Sequence, residues 1–67
     1  MVLDITKFKN LLIDNLLTQG ELAKLSGISQ STISALLKGK NNIGMSSIRG
    51  LIEVFGKDAV RGIIKRD

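Results

Sequence analysis

With 67 residues the chain is one domain near the lower size limit for a core that folds without staples, and it lacks Cys and His, so no disulfide, thiolate metal site or imidazole base is available. Apolar residues make up 43% but only Phe8 and Phe55 are aromatic, so the core is aliphatic; with no Pro, the composition suits short helices joined by Gly- and Ser-containing turns rather than strands. The formal charge is +4, and all the excess lies from Lys38 onward, where Lys38, Lys40, Arg49, Lys57, Arg61, Lys65 and Arg66 outnumber Glu53, Asp58 and Asp67; this suits a polyanionic partner, although the same charge also serves solubility.

Five helices are predicted in chain order. The first runs from about Asp4, a capping residue, to Asn15, with Ile5, Phe8, Leu12 and Leu16 at helical spacing as its buried stripe. The second begins at Thr18. Glu21 three residues on completes a Thr-x-x-Glu capping box, Leu22 and Leu25 face inward, and Gly27 stops the helix. The third begins at Ser29, buries Ile33 and Leu36 with Leu37 at the edge, and ends at Gly39. A polar loop, Lys40-Asn41-Asn42-Ile43-Gly44, follows. The fourth helix spans about Met45 to Phe55, with Met45, Ile48, Leu51, Ile52 and Phe55 spaced by three and four; Gly50 inside it either permits close packing or is a weak spot. A short fifth helix, about Asp58 to Lys65, has Asp58 as its cap and Val60, Ile63 and Ile64 as its apolar set. No apolar run approaches the roughly 20 residues of a membrane span, and the N-terminus does not read as a signal peptide, so a cytoplasmic protein with no membrane partner is expected.

The informative window is Gln19 to Lys38. Two helices crossing steeply need a small residue where their backbones approach, and Ala23 supplies it. The tight turn between them needs a permissive backbone, and Gly27 supplies that. Leu22, Ile28, Ile33 and Leu36 lock the pair onto the remaining helices, while the outer face of the second member stays short and polar.

The wording Leu-Thr-Gln-x-Glu-Leu-Ala from Leu17, Gly-Ile-Ser-x-Ser-Thr-Ile-Ser from Gly27 and Gly-Lys at Gly39-Lys40 resembles the helix-turn-helix family of phage repressors, Cro proteins and their bacterial relatives. The resemblance covers roughly residues 5–56, with two departures: Gly20 replaces a better helix former and Ile43 stands where the family often has Pro. Both are read as changes of local stability away from the DNA surface. Leu37 also lies at a position often polar in the family.

The resemblance implies an all-α, compact bundle of five short helices of the lambda-repressor type, with the helix-turn-helix at helices two and three. It also implies roles by position. The third helix would enter the major groove, with Gln30, Ser31, Ser34 and Thr32 toward base edges. Gln19, Ser29, Lys38, Lys40, Asn41 and Asn42 would hold phosphates, Ser29 being first of all an N-cap. Phe55, Val60, Ile63 and Ile64 are candidates for a contact with a second copy, or simply cap the core. The implied function is a sequence-specific regulator of transcription in a bacterial or phage-infected cell, a Cro-like repressor on double-stranded DNA and a homodimer at least there. The alternative is an antitoxin or antirepressor that reuses the fold to hold a protein. Neither cofactor, metal nor small-molecule ligand is expected, and no constellation of residues suggests an enzyme.

Overall fold

The computed structural model describes residues 1–40 and 42–65. In chain order they form strand β1 (Val2–Leu3), helices α1 (Ile5–Asp14), α2 (Gln19–Ser26), α3 (Gln30–Leu37), α4 (Met45–Phe55) and α5 (Lys57–Ile63), and strand β2 (Ile64–Lys65). The fold is helical, as the sequence predicts, and α4 has the predicted bounds.

Local chemistry explains most helix ends. The Asp4 carboxylate accepts from the Lys7 amide at 3.1 Å and starts α1. At the other end, the Leu17 amide donates to Leu12 O and the Leu16 amide to Ile13 O, each at 3.0 Å, while Leu16 adopts a left-handed φ of 54°. This is a Schellman closure built on Leu instead of Gly. It turns the Leu16 side chain outward, 88% exposed, so Leu16 does not join the buried stripe expected of it. The capping box of α2 is complete: Glu21 N–H donates to Thr18 Oγ1 at 3.1 Å and Thr18 N–H to Glu21 Oε1 at 2.9 Å. Gly27 closes α2 at φ 75°, and Ser26 stitches the turn by donating to Leu22 O at 2.6 Å and accepting from the Ile28 amide at 3.1 Å. Leu22 and Ser26 therefore share the inward side, and Leu25, expected there, is 60% exposed.

The core is aliphatic around one aromatic ring. Leu3, Phe8, Leu12, Leu22, Ile28, Ile33, Leu36, Ile43, Ile48, Leu51, Val60 and Ile63 are buried, and no polar or charged side chain among the described residues is buried with them. Gly50 resolves in favour of close packing. A Cβ there would lie 2.6 Å from the Ser26 carbonyl oxygen and 3.1 Å from the Ile28 side chain, so α4 approaches the turn after α2 more closely than any larger residue permits. Met45, expected inside, is 53% exposed at the first turn of α4.

The C-terminal region departs most from expectation. Gly56 (φ 89°) both ends α4 and precedes α5, which starts at Lys57, so Asp58 lies in the first turn and is not the cap. Ile64 turns extended (φ −103°, ψ 132°), and Ile64–Lys65 pairs antiparallel with β1 in the register Leu3↔Ile64 and Val2↔Lys65. The Asp4 amide donates to Ile63 O at 2.8 Å, and Asp4 Oδ2 meets Lys65 Nζ at 3.5 Å. The other edge of β1 meets the loop before α4: Val2 bridges to Asn42, and the Ile43 amide donates to Met1 O at 3.1 Å. That bond gives a physical reason for Ile at a position where the family often has Pro, which has no N–H to donate.

Candidate nucleic-acid interface

Helix α3 is one face core and one face solvent. Ile33 and Leu36 are buried beneath it, whereas Gln30, Ser31 and Thr32 are exposed and Ser34 is half-buried. Its start is fixed by Ser29, whose Oγ accepts from the Thr32 amide at 3.2 Å and lies 2.7 Å from Thr32 Oγ1 and 3.3 Å from Ser31 Oγ. Ser29 is thus an N-cap at the centre of a hydroxyl cluster. Hydroxyls can reorient to donate or accept, which suits contact with base edges or phosphates.

The far end of α3 closes as the first helix does. Gly39 (φ 120°) lets its own amide reach Leu36 O at 3.2 Å and the Lys40 amide reach Ala35 O at 3.0 Å. Lys38 and Lys40 therefore leave a fixed backbone, both exposed. Asn42 is exposed as well, and Asn41 lies outside the described residues.

Two grooves flank α3 and divide the candidate residues. One, a cleft of about 380 Å³ between α3 and the segment leading into α4, brings Ser31 and Thr32 together with Lys40 and Asn42. The other, about 550 Å³ and open, lies toward α1 and α2 and brings together Gln19, Ser34 and Lys38. Across it the Ser34 hydroxyl donates to Gln19 Oε1 at 2.6 Å. This bond uses the carbonyl end of the Gln19 carbamoyl and leaves its NH₂ as the donor group. Gln30 sits at the N-terminal end of the ridge with its Oε1 3.8 Å from where a Cβ on Gly20 would be. Gly20 thus adjoins the exposed face of α3 and does not stand apart from it as the sequence alone suggests.

The structure also adds residues that the sequence reading missed. Ala35, Gly44 and Ser47 line the first groove, and Lys9 and Thr18 the second. Gly44 precedes α4 without a side-chain cap, so the first-turn amides of that helix open near Lys40. The pair Gly44 and Ser47 was legible as an uncapped helix start. Lys9 was not, because only tertiary packing carries α1 to that groove.

Among the described residues, the two carboxylates with displaced titration, Asp4 and Glu21, both serve helix starts. A bond from the Lys7 amide, helped by Lys65 nearby, holds Asp4 below the ordinary carboxylate range; bonds to Thr18 do the same for Glu21. Neither lies among the residues lining the two grooves.

The candidates for a second copy separate in the structure. Val60 and Ile63, 2% and 5% exposed, belong to the core where α5 packs on α1 and α4, and Val60 also lines a shallow groove with Met1, Ile52 and Ile64. Phe55 and Ile64 are half-buried at the edge of the core.

A polar ridge between two grooves, carried on the second helix of a pair joined at a left-handed Gly, defines the class of DNA-binding helix-turn-helix domains. Residues 8–60 match the model of a family described as helix-turn-helix, and the chain belongs to that family of DNA-binding regulators, of the repressor and Cro type. No curated protein and no solved structure matches the chain. None of the described helices is long and apolar enough to cross a membrane.

Proposed function

We propose that the chain is a Cro-like repressor that reads operator half-sites with α3 in the major groove and binds a full operator as a homodimer. The observation that carries this reading is the division of cationic and polar groups to both sides of α3. A helix lying in the major groove has a sugar–phosphate strand along each flank. Lys40 and Asn42 face one strand, Gln19 and Lys38 the other, and Gln30, Ser31 and Thr32 project between them. Ser34 reads bases less directly, since its hydroxyl is engaged with Gln19. Of the apolar candidates for a second copy, Phe55 and Ile64 keep the most exposure, and a pair of half-sites about 34–36 Å apart would bring them alongside their counterparts.

The test is selection of bound DNA from a random duplex pool, followed by salt titration of variants on the selected site. Gln30→Ala is expected to relax preference at one base position and to cost about 1–3 kcal/mol on the preferred site. Lys40→Ala should weaken all sequences alike and lower the salt slope by about one unit. A pool that shows no enrichment would replace this reading with that of a protein-interaction module. A selected site without two-fold symmetry would remove the dimer.

A further inference from the structure

The cleft beside α3 has a second wall, and α3 holds only one end of it. Lys40 and Asn42 stand on the short segment between Gly39 and α4. Its near end is pinned to α3 through the Lys40 amide and Ala35 O. Its far end is pinned to the start of the chain by the Ile43 amide on Met1 O at 3.1 Å, the bond that sets Asn42 opposite Val2.

The start of the chain is itself anchored. The Leu3 side chain is 2% exposed, β1 pairs with β2, and Asp4 ties to both Ile63 and Lys65. Three extended pieces, Asn42, β1 and β2, thus lie side by side with β1 in the middle. We propose that Met1–Leu3 is a positioning strap for DNA binding, with the Ile43 N–H as its latch, holding Lys40 and Asn42 at the separation from α3 that a phosphate strand requires.

A loop already in its bound arrangement binds without an ordering cost, whereas a released loop makes the same contacts at lower affinity. The inference rests on the reading of Lys40 as a phosphate contact, and the two can fail separately. A direct contact releases counterions, so its loss changes the salt slope; a positioning group alters affinity and leaves the slope unchanged.

The test uses the full chain made by chemical synthesis with the Ile43 amide replaced by an ester, which removes the N–H and keeps the side chain. Ile43→Val, which keeps the N–H and shortens the ethyl branch of the side chain to a methyl, is the control. Binding to the selected operator and to random duplex is titrated against salt, with circular dichroism to show that each protein is folded at the assay temperature. The ester is expected to raise Kd roughly three- to tenfold on both DNAs, the worth of one backbone hydrogen bond, with an unchanged salt slope. Ile43→Val should bind within about twofold of the native chain. Native affinity in the ester, or a loss confined to the operator, overturns the strap. An unchanged salt slope in Lys40→Ala overturns the reading beneath it, and the strap with it.

Discussion

The α2–α3 pair and the closure formed by α5, β2 and β1 are specified in opposite ways. Every end of the pair has its own local signal: Thr18 with Glu21, Gly27 at φ 75°, Ser29, and Gly39 at φ 120°. The closure has almost none. Helix α5 begins after a Gly with no side-chain cap and ends by pairing with residues from the opposite end of the chain. The difference teaches that the exposed face of α3 is set by local signals, while the frame that supports it is held by contacts remote in sequence.

The largest test of that contrast is Leu3→Ala. A residue two places from the start would ordinarily be a tolerant tail, yet Leu3 is buried in the core. Its truncation should cost about 2–5 kcal/mol in urea unfolding, against roughly 0.5 kcal/mol or less for Leu25→Ala in the exposed part of α2. Equal effects would mean that the strand is not part of the folded core.

Next are the glycines. Gly50→Ala drives a Cβ toward the Ser26 carbonyl and should cost about 1–3 kcal/mol. Gly62→Ala has open space and an ordinary helical backbone, and should stabilise by about 0.5–1 kcal/mol. If both substitutions stabilise, the close approach of α4 to the turn is wrong.

The smallest effects are at the caps. Thr18→Ala should lose about 1 kcal/mol, whereas Asp58→Ala, at a residue that caps nothing, should fall within roughly 0.5 kcal/mol of the native chain. The acid side of the stability profile sharpens this. The folded state holds Asp4 and Glu21 below their ordinary pKa, so it favours their carboxylates. Their contribution is complete above the ordinary carboxylate range and fades as pH falls through the lowered values, below about pH 4. Glu21→Gln should flatten the fall of Tm with acid, and an identical profile in this variant would deny the capping box any part in it.

Legibility in the sequence follows the same division. Helix existence, the turn at Gly27 and the exposed face of α3 could be read because period and capping are local signals. Leu16 and Leu25 were misplaced because spacing alone cannot tell the centre of an apolar stripe from its edge, nor foresee that a Leu would take a left-handed closure. Val60 and Ile63 offer the same apolar pattern whether they serve the core or a partner, and their burial in the core rests on packing that the pattern does not carry. The strands were invisible: each spans two residues, too few for any alternation to register. Within the candidate site, the order of residues along α3 was legible. Their division between two grooves was not, since it depends on what α1, α2 and the start of α4 place alongside.

If α3 reads an operator as proposed, the hydrogen bond between Ser34 and Gln19 has a consequence for anyone seeking to redirect this protein to another DNA sequence. Ser34 belongs to one helix and Gln19 to another, so exchanging the first alone also frees the second to swing. A substitution table built one position at a time would therefore mislead at this point of α3. Libraries that vary the two together are the smallest unit in which a new preference can be sought.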